Sequence, residues 1–185
     1  LPDIPKETAR QSEVLVAKLY LRKGKPDEAE KRLEALARGL SAGDADKPFI
    51  DAYLAEARIA LGGEKAKAME KPLQESLKAT ADGPLRGVLH NLLGEVALKD
   101  GKNESAFWHF LRVDAMYNDL LEEQGRALHH LSTLFDTVKK DPARAKDCLR
   151  RLAGKGFEGT RYHKAAKKKL DELEPPEPKA VEKKP

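Results

Sequence analysis

The sequence predicts an all-α protein: an α-solenoid of stacked antiparallel helix hairpins with a C-terminal capping helix. Three observations predict it. The 185-residue chain carries 26 Leu and 25 Ala against 7 Val, 3 Ile and 5 Thr. Leu and Ala lose little side-chain freedom in a helix, whereas β-branched residues suit strands, so a sandwich, a barrel and a doubly wound sheet are disfavoured. Second, an apolar residue followed by a small one recurs with the small residue at 17, 55, 94 and 132, spacings of 38, 39 and 38. Third, a glycine (Gly24, Gly62, Gly101) stands seven positions after the first three small residues, where positive φ would close a helix.

The elements follow in order. Residues 1–7 read as an extended leader, since Leu1-Pro2-Asp3-Ile4-Pro5 resists helix formation. Four helix-hairpin repeats follow, at about 8–40, 47–81, 84–117 and 119–153. In the first, Pro26-Asp27-Glu28 opens the second helix: Pro suits the first turn and carboxylates favour the positive helix end. Ala29, Leu33 and Leu36 then share one face. In the second, Pro72 lies inside the expected second helix and predicts a kink, or a break with a restart there. In the third, Asn103 is the expected N-cap of a helix bearing Ala106, Phe110 and Val113. Phe107, Trp108, Phe110, Met116 and Tyr117 make that helix apolar over a wide arc, so it should be buried between neighbours. In the fourth, Lys139 stands where the glycine is expected, and Asp141-Pro142 starts a helix carrying Ala145, Leu149 and Leu152. The capping helix spans 159–174, with Tyr162, Ala165, Ala166, Leu170 and Leu173 on a narrow apolar stripe and Lys164, Lys167, Lys168 and Lys169 opposite. Residues 175–185 are Pro, Glu and Lys with little else and should be disordered.

Residues able to carry chemistry are scattered. No two of His90, His109, His129, His130 and His163 have the three- or four-residue spacing that puts two ligands on one helix face. A lone Cys148 beside Leu149 and Leu152 reads as packing, and one cysteine allows neither an internal disulfide nor a multi-thiolate metal site. Gly62-Gly63-Glu64-Lys65 and Gly154-Lys155-Gly156 have neither the glycine spacing nor the Lys-Ser/Thr ending of a phosphate loop. No carboxylate pair has environments that push two pKa values apart. The expectation is no catalytic residue, no cofactor, no metal and no enzyme. No apolar run reaches the ~20 residues that span a bilayer.

Residues 11–153 resemble the tetratricopeptide repeat (TPR) family. Val16-Ala17, Tyr20, Gly24, Ala29 and Leu33 carry the resemblance in the first copy. Leu93-Gly94, Gly101, Ala106 and Phe110 carry it in the third, and Leu128, Leu131-Ser132, Phe135, Ala145 and Leu149 in the fourth. The second keeps Leu54-Ala55 and Gly62. The period exceeds the family's 34 residues, and the proline that often ends each repeat is missing. The resemblance implies a concave groove lined by the first helix of each repeat, holding a partner peptide or helix. Carried over by position, the groove takes Gln11, Val14, Lys18 and Arg22 from the first copy and Ala52, Glu56 and Ile59 from the second. It takes Asn91, Glu95 and Leu98 from the third, and Arg126, His129 and Thr133 from the fourth. Glu56 and Glu95 would repel a terminal carboxylate there.

The functional expectation is a non-enzymatic protein–protein interaction module or assembly scaffold, with self-association through the solenoid ends as a further route. The alternative is nucleic acid or another anionic surface. The net charge is +4, but residues 159–185 hold a surplus of +3 and residues 1–158 only +1. That distribution weighs against a nucleic-acid-binding groove and confines the alternative to the last helix and tail. The first residue, Leu1, is compatible with a processed exported (periplasmic-type) protein and with an excised cytoplasmic domain.

Overall fold

The structure, a computed structural model, describes residues 6–173; most of the leader and all of the 175–185 tail lie outside them. All regular structure among the described residues is helical: ten α-helices and one turn of 3₁₀ helix. They are α1 (Lys6–Arg22), α2 (Pro26–Arg38), α3 (Lys47–Leu61), α4 (Gly63–Lys67), α5 (Glu70–Ala79), α6 (Gly83–Lys99) and α7 (Asn103–Met116). After these come α8 (Leu121–Thr137), α9 (Pro142–Ala153), the 3₁₀ turn Lys155–Phe157 and α10 (His163–Leu173).

Local chemistry sets the ends. Gly24 and Gly101 adopt φ of 67° and 72° just past α1 and α6. In each case the next amide reaches back to the last turn, Lys25 to the Tyr20 carbonyl at 2.9 Å and Lys102 to the Ala97 carbonyl at 2.8 Å. This satisfies carbonyls that the helix end would otherwise orphan. The fourth long helix departs from the expected pattern. Its left-handed residue is Lys140, φ 55°, not Lys139: α8 ends at Thr137, and one residue more than after α1 and α6 follows before the chain turns and the Asp141 amide returns to the Phe135 carbonyl at 2.8 Å. Asp82 and Asp141 cap α6 and α9, accepting from the amides of Leu85 at 2.7 Å and Arg144 at 3.0 Å. Asn103 is not a cap; it is the first residue of α7, after Lys102. The break anticipated at Pro72 falls earlier, at Ala68-Met69, and leaves Pro72 in the first turn of α5, where its missing N–H has no partner to lose.

Each long helix packs on the next, and α1, α3, α6 and α8 also form a row in which each touches its neighbour. The interior divides into three clusters. One joins α1, α2 and α3 around Ala17, Leu33 and Ile50. A second joins α3, α5 and α6 around Ile59, Leu73 and Leu92. The third joins α7, α8, α9 and α10 around Phe110, Leu131 and Leu152. One small residue of the repeat, Gly94, marks a close approach. A Cβ on Gly94 would lie 2.6 Å from the Phe110 ring, so α7 can seat a fully buried phenylalanine against α6 only because position 94 is empty.

Two apolar expectations need correction. Trp108 is 46% exposed and Met116 64%, so the second arc of α7 faces solvent, and its burial stops at Phe107, Phe110 and Val113. On α10 only Ala166 is buried; Ala165 and Leu173 are exposed. Among the described residues no helix is long and apolar enough to cross a membrane.

Candidate functional site

The row α1–α3–α6–α8 presents a face on which charged side chains from distant parts of the chain meet. At its centre is Arg126, on α8, only 4% exposed. Its guanidinium donates to both carboxylate oxygens of Glu95, on α6, at 2.7 and 2.8 Å. It also pairs with Glu56, on α3, at 3.1 Å and with Glu123, one turn before it on α8, at 3.6 Å. The buried Asn91 amide donates to the Glu123 carbonyl at 2.9 Å and carboxylate at 2.8 Å, which ties the start of α8 to α6. His130 adds a contact to Glu95 at 3.5 Å while its ring stacks on Phe110 at 4.4 Å.

Around this one guanidinium, Glu95 and Glu56 shift in opposite directions. Burial would raise Glu95, but Arg126 and the hydrogen bonds from His130 and Arg126 override it and hold the carboxyl at about 2. Glu56 goes the other way: burial raises it, aided by the charges of Glu123 and Glu95 and opposed by Arg126. Burial works against the charge on Arg126, yet Glu56, Glu95 and Glu123 outweigh it and raise its pKa well above the ordinary value. Two carboxylates of one cluster thus differ in opposite directions because only Glu95 receives a bidentate guanidinium.

Beside this cluster lies a cavity of about 280 Å³ lined by α1, α3, the start of α8 and Arg161 in the connection before α10. Glu56 and Glu123 form part of its wall. Lys18 reaches in from α1 with its ammonium 3.9 Å from the centre of the Tyr53 ring. Across the opening, Glu122 on α8 pairs with Arg22 on α1 at 3.4 Å and with Arg161 at 3.3 Å. The first and last helices of the row are therefore joined by a carboxylate, so the face is bridged at that end.

The positions projected from the repeat separate into distinct places. Lys18, Arg22 and Glu56 line the cavity, and Asn91, Glu95 and Arg126 form the ionic floor next to it. Gln11 and Val14 line a different, more apolar cavity of about 360 Å³ between α1 and the start of α3, beside Phe49 and Ile50. His129 is exposed, its ring 5.4 Å from that of Tyr162, and Thr133 is exposed one turn on. Ala52 and Ile59 are corrections: at 3% and 1% exposed they belong to the core between α3 and α6. Leu98 is half-buried against the core around Phe110. The projection assumed that every helix shows a partner the same face, but α6 is packed on nearly all sides.

Sequence reasoning missed Tyr53, Glu122, Glu123 and Arg161. Glu123 stands three residues before Arg126 and Glu122 beside it, a spacing that puts Glu123 and Arg126 on one side of a helix. Arg161 sits in an irregular connection, and no local pattern announces its position. Cys148 is buried and its thiol is pushed up to about 11 by that burial, which suits packing. Among the described residues no three His, Cys, Asp or Glu side chains are grouped to hold a metal ion. The chain matches no protein-family model, no curated protein and no solved structure.

Proposed function

We propose that the chain is a TPR-like α-solenoid and acts as a non-enzymatic interaction module, capturing a partner polypeptide on the face formed by α1, α3 and α8. The observation that carries this reading is the cavity between the first and last helices of the row, walled by Lys18, Tyr53 and Glu56 and bridged by Arg22, Glu122 and Arg161. A rigid row of packed helices supports a preformed surface that binds with little rearrangement. The deeper charges around Arg126 serve the fold, because a buried pair that loses one partner is strongly destabilised. Partner contact therefore falls to the rim.

Photo-crosslinking tests the reading. Benzoylphenylalanine placed at Leu21, which lines the cavity, should yield a discrete adduct in the protein's own cell. The same group at exposed Trp108 on α7 should not. Equal adducts from both positions, or adducts from Trp108 alone, would move the binding face elsewhere. The second reading is contact of α10 with an anionic surface or nucleic acid. It is favoured by exposed Lys164, Lys167, Lys168 and Lys169. It requires binding that weakens steeply with salt, and a gel-shift titration at low ionic strength measures that.

A further inference from the structure

We infer that the facing rings of His90 and His109 form an acid-sensitive latch: one proton between them holds the α5–α6 and α7–α8 turns against α6, and a proton on each facing nitrogen releases that seam. The latch operates whatever partner the cavity captures.

The seam is built on one side of α6. Glycine weakens a helix interior, yet Gly87 is required there, because a Cβ would lie 2.8 Å from the Tyr117 carbonyl oxygen. One turn earlier, a Cβ on Gly83 would lie 3.4 Å from the Asp119 carboxylate. Gly83, Gly87 and His90 share that side of the helix, so the connection after α7 lies along it. Side chains then fasten the connection. Arg86 donates to the Leu77 and Thr80 carbonyls at 3.1 and 2.9 Å and to the Tyr117 hydroxyl at 3.0 Å. The Tyr117 ring stacks on His90, with centroids 5.4 Å apart and planes 21° apart. His90, only 5% exposed, meets His109 of α7 with the two Nδ1 atoms 3.0 Å apart.

Two imidazole nitrogens this close share one proton and cannot hold two. With one proton, either ring donates its Nδ1–H to the lone pair of the other. With a proton on each Nδ1, two N–H groups face each other and attraction becomes repulsion. The surroundings oppose that second proton. Burial, then the charges of His109 and Arg112 from α7 and of Arg86 from α6 itself, hold His90 at about 4. His109 is lowered by burial and by Arg112, and Glu70 at the start of α5 opposes this; Glu70 is also paired with Lys102 at 3.5 Å. The other helices packed on α6, α3 and α8, direct Glu56, Glu123 and Arg126 to the ionic floor. A His90 ring freed from the seam returns towards its ordinary 6.5, so acid favours the released form. Release is local. Ala106, Phe110 and Val113 keep α7 seated in its core, whereas the two turns are joined through Arg86, Tyr117 and His90.

Hydrogen–deuterium exchange on the full chain, corrected for the intrinsic effect of pH, tests the latch. Between pH 7 and about 4.5, amides of residues 78–83 and 117–121 should exchange about tenfold faster or more, while those of α2, α3 and α9 change by less than about twofold. His90→Gln carries both a donor and an acceptor, so it pairs with His109 in either protonation state and should remove most of this acid response. Should that variant fold poorly, histidine ¹⁵N spectra of the parent at pH 8 supply the second measurement: one of the two rings must carry its proton on Nδ1 and the other on Nε2. Spectra with Nε2–H on both rings, an exchange rise spread evenly over all helices, or an acid response that survives in folded His90→Gln overturns the inference.

Discussion

Arg126→Met removes the charge at the centre of the ionic floor while keeping much of the side-chain volume. The loss is set by what remains. Glu95 loses a bidentate partner at 2.7 and 2.8 Å, Glu56 one at 3.1 Å and Glu123 one at 3.6 Å. Breaking a buried pair by removing one member costs about 3–5 kcal/mol, because an uncompensated charge stays buried. For a chain of this size each kcal/mol moves the melting temperature by about 2–4 °C, so a drop of roughly 6–20 °C is expected at pH 7. Circular dichroism at 222 nm reads it. Acid supplies the sign. In the parent, Glu95 lies below its ordinary value of 4.5, so its contribution is complete above that value and is lost as the pH falls towards 2. In the variant Glu95 and Glu56 lose their main counter-charge and their carboxyls move up, so protonation relieves them and stability is regained as the pH falls. The gap between parent and variant should narrow on acidification, and Glu95→Gln in the variant should recover part of the loss. A variant melting within about 2 °C of the parent at pH 7, or a gap that widens with acid, would refute the view that the Arg126 charge holds Glu56, Glu95 and Glu123 together.

Four further substitutions probe the scaffold. Phe110 is fully buried, so Phe110→Ala should destabilise by about 3–5 kcal/mol in a urea titration; Gly94→Ala should also destabilise, by about 1–3 kcal/mol, because its methyl meets that ring at 2.6 Å. His90 and His109 approach at 3.0 Å between their Nδ1 atoms, and burial, with the charges of His109, Arg112 and Arg86, lowers His90 from 6.5 to about 4. The fold therefore favours neutral His90: this contribution is whole above pH 6.5 and falls by about 3 kcal/mol between pH 6.5 and 4, a slope that His90→Gln should flatten in pH-dependent melts. Lys140 holds a left-handed backbone at φ 55°; Lys140→Gly should raise stability by about 1 kcal/mol in urea, whereas Lys139→Gly should not.

Helical content and the positions of the turns were open to sequence reasoning because they depend on neighbours along the chain. Gly24 and Gly101 close helices because a residue without Cβ adopts positive φ freely, and Asp82 and Asp141 cap because their oxygens reach an amide three residues on. The same locality explains the errors. Counting from Ser132 points to Lys139; α8 ends five residues after its small residue, as α1 and α6 do, but one extra residue precedes the left-handed one, which is Lys140. Asn103 has the chemistry of a cap, yet the bond from Lys102 to Ala97 already sets the turn one residue earlier. Trp108 lies on an apolar arc of α7, but how much of that arc is covered depends on where α6 and α8 stop.

The site was legible in part. The repeat register places Lys18, Arg22, Glu56, Glu95 and Arg126 on the first helices without dividing them. Burial separates them: Arg126 and Glu95 hold α3, α6 and α8 together, while Lys18 and Arg22 remain at the rim. Ala52 and Ile59 have the same register along their helix yet lie in the core, because α6 covers that side of α3. Helical content among the described residues and the punctuation of the helices were legible in residue order, since both follow from interactions over a few residues. Helix packing brings Arg22 to Glu122 and Arg161 across a hundred or more residues, and contacts between helices so far apart along the chain have no signature in any local window.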